Sequence, residues 1–146
     1  MAGRSLCGTV RLTDRPPILF RNHCHCHWCR RAHGAAFVTW FSVPEAFGLT
    51  RGADQLVWYA WSEQGSRAFC SRCGTTFLFR SELIPGQMHI ALANVDSDAV
   101  DWVPHFHSFF EAHVPWVSLA DELPRLQRQD ELLKMFAAVP QRPPGE

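Results

Sequence analysis

The sequence predicts a mostly β domain of small antiparallel sheets with a short C-terminal helix, and three observations carry that expectation. Between residues 7 and 117, short runs rich in β-branched and aromatic residues alternate with Gly, Pro and Asp, the texture of strands and turns. Helical spacing of apolar residues occurs only near the end, in DELLKMFAAV from Asp130, where Leu132, Leu133 and Phe136 share one stripe. Cysteine is concentrated, most densely in NHCHCHWCRRAHGA, Asn22 to Ala35, where three cysteines and three histidines fill six of seven successive positions.

The candidate strands, in order, are GTVRL (8–12), AFVTWFSV (36–43), QLVWYAW (55–61), TTFLFR (75–80), MHIALANV (88–95) and HFHSFF (105–110). They make one domain over residues 3–125, followed by a helix over 126–139 and a disordered tail over 140–146, where VPQRPPGE ends the chain. Six tryptophans and eleven phenylalanines in such a domain read as core filling. Trp40, Trp58, Trp61, Trp102 and Trp116 are assigned to the core, whereas Trp28 lies inside the cysteine motif and stays open.

Composition removes several function classes. With 146 residues, 47% of them hydrophobic, the chain can build one core but not two. Fourteen basic and fourteen acidic side chains cancel, so the basic excess of a nucleic-acid binder is missing. MAGRSLCGTVRL carries no apolar secretory core, and the greasiest stretch, residues 35–49, is interrupted by Thr39, Ser42, Pro44 and Glu45. A cytoplasmic protein with neither membrane nor nucleic-acid partner is expected. In that reducing compartment six cysteines are metal ligands or catalytic groups rather than disulfides.

The cysteines fall into three groups: Cys7 alone, Cys24-x-Cys26-x-x-Cys29, and Cys70-x-x-Cys73 followed by Gly74. A CxxC before glycine resembles a zinc knuckle, whose turn aims amides at both sulfurs. Spacing alone permits a single closed cage of Cys26, Cys29, Cys70 and Cys73, leaving Cys7 and Cys24 as spare thiols. The CxC argues otherwise. In an extended segment Cys24 and Cys26 share a face, and His23, His25 and His27 share the other. With Cys29 added from the following turn, three thiolates form a tripod whose fourth coordination position is open, the mark of a catalytic rather than a structural zinc. His23 and His27 read as solvated or hydrogen-bonded histidines, and His25 as a group orienting the turn.

SLCGTVRL, CHCHWCRRAHGA, FCSRCGTTF and HSFFEAHVPW follow the order seen in the glutathione-dependent formaldehyde-activating enzymes, a family whose domain centromere protein V shares. The chain resembles that family over roughly residues 3–125. The resemblance implies an Mss4-like fold, with small β-sheets tied by zinc. It also implies two zinc sites: Cys24, Cys26 and Cys29 at a catalytic ion, and Cys7, Cys70 and Cys73 at a structural one. The family's fourth structural ligand is missing, because Ser5 stands where a CxC would begin. A neutral hydroxyl is a poor zinc ligand beside thiolates, so weaker binding is expected there. The implied reaction is reversible addition of the glutathione thiol to formaldehyde, a carbon–sulfur lyase or synthase step. Arg30 and Arg31, directly after the last tripod cysteine, are expected to offset its negative charge, and Arg67 and His107 are secondary candidates for substrate contact. The expected partners are a small-molecule thiol and at most a second copy of the chain, as a homodimer. The competing class is a zinc-stabilised binding module without catalysis.

Overall fold

Ten strands and one short α-helix are built from residues 2–13, 16–49, 51–96 and 102–127, which the computed structural model describes. Strands β3 (Phe20–Cys24), β4 (Val38–Pro44), β5 (Leu56–Ser62), β6 (Gly65–Cys70), β7 (Thr76–Ser81), β8 (Gln87–Ala91) and β10 (Phe106–Ser108) form a seven-stranded sheet. Its order is β10-β3-β4-β8-β7-β6-β5, antiparallel throughout except for the parallel β10–β3 edge. A smaller sheet pairs β1 (Ala2–Arg4) with β2 (Arg11–Leu12) and β9 (Val95–Asp96). The expected mostly β architecture is present, and no described helix is long and apolar enough to cross a membrane.

Alternation along the strands divides the large sheet into two different faces. One face contributes Phe41, Val43, Leu78 and Ile90 to the main core, where Val10 and Leu12 pack from the small-sheet side with Phe77 and Met88. The other contributes Trp40 and Ala91 to a second cluster shared with Cys24, Cys29 and Val38, flanked by Cys26, Phe79 and Phe109. Here sulfur atoms occupy interior positions that aliphatic side chains would otherwise fill.

Four elements had no counterpart among the expected strands and helix: β1, β3, β6 and α1. β3 reads FRNHC and β6 reads GSRAFC, both too polar to announce themselves, yet their buried positions fall at every second or nearly every second residue. Helix α1 (His27–His33) has no apolar stripe, and Cys29 is its one buried residue. The MHIALANV run is shared among β8, a 3-10 turn and β9. The helix expected over 126–139 and the tail 140–146 lie outside the described residues, apart from Leu126 and Gln127. These two are not helical; Leu126 hydrogen-bonds along β10 through the carbonyl of His107, 2.9 Å away.

Two core assignments are corrected. Trp116 is 76% exposed, and Trp58 lies outward on the edge strand β5, with the Arg80 guanidinium 4.6 Å from its ring centroid. Trp40 is buried and Trp102 is half-buried against the main core, while Trp28 is exposed. Trp61 is held by a close approach: its ring lies on Gly65, where an added Cβ would come within 2.0 Å of it.

Candidate metal centre

β3 delivers Cys24 on the same face as Phe20 and Asn22, and His23 on the other, as the alternation predicts. The chain then turns into α1, and Cys26 becomes its N-cap, its sulfur accepting the Cys29 backbone N–H at 3.3 Å. Gly34 ends the helix in the left-handed region at φ 59°, returning its N–H to the Arg30 carbonyl. This brief helix exists to set three sulfurs together. The Sγ atoms of Cys24, Cys26 and Cys29 all lie within 4.8 Å of one another, with Cys24 and Cys29 buried.

Three thiols in contact cannot all ionise unaided. Contacts from the Cys24 and Cys26 thiols hold Cys29 well below the usual thiol range, against the effect of burial and helped by Arg67. Contacts with Cys26 and Cys29, together with burial, push Cys24 well up. Cys26 is lowered by Cys24 but raised more by Cys29 and burial, to about 11. Of the three sulfurs, Cys29 is therefore the one whose thiolate form is favoured. A divalent cation would remove the mutual repulsion and let all three sulfurs lose their protons.

Arg67, on β6, supplies the positive charge. Its Nη2 donates to Cys29 Sγ at 3.3 Å, and its guanidinium carbon lies 4.7 Å from the Trp61 ring centroid and 5.2 Å from that of Phe79. Only 7% of the residue is exposed, and among the described residues no carboxylate pairs with it. A buried cation without an anion costs several kcal/mol, about the penalty for an unpaired buried ion, so the sulfur cluster is its counter-charge. Its Nη1 has no hydrogen-bond partner.

The tripod and Arg67 open onto a cavity of about 580 Å³, walled by Phe20, Trp40, Trp61, Phe79 and Phe109. One row of cross-strand neighbours runs beneath it: Phe20, Ser42, His89, Phe79 and Arg67 face each other in turn across five strands. Ser42 Oγ hydrogen-bonds His89 Nδ1, and the His89 ring stacks on Phe79 with centroids 4.7 Å apart. His89 Nε2 is buried without a partner, and desolvation drives the imidazole down to about 3, so the ring is neutral. Sequence reasoning did not single out Ser42 or His89. The available signal is a histidine between Met88 and Ile90, in a strand buried at every position.

The second sulfur group joins chain ends far apart. Cys7 Sγ lies 3.7 Å from Cys70 Sγ, and Cys73 completes a set within 4.8 Å. Tetrahedral zinc with Zn–S near 2.3 Å puts its sulfurs about 3.8 Å apart, the spacing at which Cys7 and Cys70 lie. Ser5, fully buried, places its Oγ 3.6 Å from Cys7 Sγ while accepting the Val10 N–H. The residue standing where the family's fourth ligand is expected is thus next to one member of the cluster, Cys7. Hydrogen bonding with the Thr9 side chain and backbone, then with Ser5, lowers Cys7 to about 6. The single cage of Cys26, Cys29, Cys70 and Cys73 does not form, because these cysteines divide between two groups.

The remaining expected residues lie elsewhere. Arg30 and Arg31 do not line the large cavity; they border a shallower hollow with His27, Gly34 and Trp116, and Arg30 lies 2.6 Å from His27 Nδ1. The position expected of them, beside the sulfurs, is held by Arg67. His23 Nδ1 meets Thr39 Oγ1 at 2.9 Å. His25 Nε2 meets His107 Nδ1 at 2.8 Å, and His107 Nε2 meets Asp121 at 2.9 Å, a chain of contacts that joins the turn after β3 to β10 and the segment beyond it. His107 is fully buried there and does not line the cavity.

Fold and site together define a β protein with two cysteine clusters able to hold metal ions, one of them opening onto an aromatic-walled cavity. The chain belongs to the glutathione-dependent formaldehyde-activating enzyme family, whose model matches residues 1–112. Among solved structures it is similar to the crystal structure of a Rhodobacter sphaeroides protein, 23% identical, with a TM-score of 0.57 over 68% of this chain and 91% of that one; this is a likeness of fold. The comparison with curated proteins gave no match.

Proposed function

We propose that the chain is a zinc-dependent carbon–sulfur lyase or synthase that joins a small thiol of the glutathione type reversibly to an aldehyde. The observation that carries this reading is the opening of the Cys24, Cys26 and Cys29 triangle onto the cavity that also holds Arg67. Three thiolates suit zinc over hard cations, and these residues would hold it. When bound, zinc supplies a coordination position at which a fourth, substrate sulfur stays deprotonated at neutral pH.

The chain's own groups do the rest. Three thiolates and a dication leave one net negative charge, which the Arg67 guanidinium offsets. The entry of a further thiolate would add another, which the positive charge of Arg67, a residue of the cavity wall, would also offset. Trp40, Trp61 and Phe79 exclude water, which strengthens that interaction and holds sulfur and aldehyde together for attack. Cys7, Cys70 and Cys73 would hold a second zinc, tying the N-terminal segment to the distal CxxC. Six cysteines without a disulfide suit a reducing compartment such as the cytoplasm.

A cobalt-substituted protein tests the reading. Glutathione at millimolar concentration should change the visible spectrum as a new sulfur enters the coordination sphere, and Cys26→Ala should abolish that change while keeping the fold. A parent spectrum unmoved by any small thiol would sink the proposal and leave a zinc-stabilised binding module.

A further inference from the structure

The row of side chains beneath the cavity contains a group that thiol capture does not use. His89 is 3% exposed, lines the same cavity as the three cysteines, and its Nε2 is buried without a partner. An orphaned buried nitrogen is costly, and the few that native structures keep need an explanation. Its tautomer follows from its neighbour. Ser42 is fully buried, and its hydroxyl has one proton to place. His89 Nδ1 is the acceptor it meets, so the hydroxyl donates there and the ring proton resides on Nε2. The opposite tautomer would orphan the hydroxyl proton as well. His89, a residue of the cavity wall, is therefore a neutral imidazole whose N–H lies on the unpartnered Nε2, the ring held by stacking on Phe79 and by Phe20, whose centroid is 5.8 Å away.

The position of this N–H relative to the sulfurs is set by the sheet. Ala91, two residues further along the same strand face, packs in the cluster with Cys24, Cys29 and Trp40, and Phe79 packs against that cluster too. His89 lies across from Phe79, Phe79 lies across from Arg67, and Arg67 donates to Cys29 Sγ at 3.3 Å, so the sheet register leads from the imidazole to the sulfurs in three steps. A substrate sulfur at the tripod would thus have its aldehyde partner within the walls that hold the imidazole.

Building on the thiol-transfer reading, we propose that His89 is a catalytic residue whose Nε2–H donates a hydrogen bond to the aldehyde oxygen, with Ser42 fixing the tautomer. As the sulfur attacks the carbonyl carbon, the carbon–sulfur bond forms and the π pair moves to oxygen. Charge develops on that oxygen, where a preorganised neutral donor in a water-poor site stabilises it. A neutral imidazole does not surrender its second proton, so water protonates the oxygen. That proton balances the one the thiol lost on binding, and no oxidant or reductant is needed. In reverse, the same N–H stabilises the alkoxide as the carbon–sulfur bond breaks.

The metal-loaded full-length protein provides the test. His89→Leu should lower the rate of thiol addition to formaldehyde, above the spontaneous reaction, by about 100- to 1000-fold, the usual cost of losing one oxyanion donor. The glutathione-induced cobalt spectrum should remain. His89→Gln, whose amide nitrogen can reach the Nε2 position, should recover much of the rate. Ser42→Ala, a milder change in the same row, should cost roughly fivefold, as the loss of one neutral hydrogen bond does. In histidine-labelled protein, formamide, an unreactive carbonyl probe, should move the His89 Nε2–H resonance downfield. A parent-like rate in His89→Leu or Ser42→Ala with glutathione still bound, or an Nε2–H unmoved by formamide, would overturn the assignment of His89 alone. A parent that takes no thiol at the cobalt would overturn the thiol-transfer reading and this proposal together.

Discussion

Arg67 shows how much one side chain decides at this site. It lies in β6 with aromatic rings around it and donates to Cys29 Sγ at 3.3 Å. Because it is buried, its charge is felt at the sulfur with little screening by salt. Arg67→Met should therefore weaken metal retention by about 10- to 100-fold, the range for losing a group that supports a metal ligand, as measured by chelator competition. In metal-free protein the alkylation midpoint of Cys29 should move to higher pH. The sign follows from linkage: a thiol held down in the fold contributes stability above its unfolded value, and this is lost as pH falls through the folded one. Removing Arg67 narrows that window from below. Arg67 was visible in the sequence only as a residue close before a CxxC, whereas Arg30 and Arg31 were adjacent to a tripod cysteine. Adjacency misled because a helix begins between the cysteines and carries the two arginines round to another hollow.

At the scale of the element, α1 is a seven-residue helix that would not persist alone. It is held by the Cys26 cap, by Arg30, Arg31 and His33 in its last turn, and by Gly34. A Cβ on Gly34 would meet nothing within 4 Å, so its requirement is purely conformational. Gly34→Ala should cost about 1 kcal/mol and lower Tm by a few degrees in a thermal melt. The same variant should lose metal from the tripod sooner than from the other cluster, since only the tripod depends on the helix. This element was illegible because its interior contact is a sulfur rather than an aliphatic stripe. β4, β5 and β7 were legible because Val, Phe, Trp and Thr dominate them. β3 and β6 were not, because polar residues interrupt their apolar pattern, among them Asn22 and Arg67, which line the cavity. The cysteine groups could be read from spacing and resemblance. The Ser42–His89 pair could not, because only the β4–β8 register brings those residues together.

For the whole molecule, the two cysteine groups divide the labour. Cys70 and Cys73 pack with the main core, and Cys7 carries the N-terminal segment to them, while the tripod belongs to the opposite face. Elemental analysis of protein purified without chelator should approach two zinc ions per chain. Ser5→Cys, which supplies a fourth thiolate at a buried position already 3.6 Å from Cys7, should raise the chelator concentration needed to unfold the domain. A variant indistinguishable from the parent in both metal content and chelator response would place Ser5 outside any coordination sphere. Cys24→Ser should reduce the metal count to one and leave the melting behaviour largely set by the other cluster.

The separation of the cluster members along the chain imposes an order on assembly. Cys26 and Cys29 are three positions apart, while Cys7 must find Cys70 across 63. Closing the longer loop costs more chain entropy, by about 2 to 3 kcal/mol on the logarithmic scaling of closure with length. A nascent chain can therefore gather its three neighbouring sulfurs long before its first cysteine meets the distal pair. In a stopped-flow refolding experiment with limiting metal, the tripod should fill first and the N-terminal crosslink last, so that the site of chemistry is made before the clasp that secures the fold.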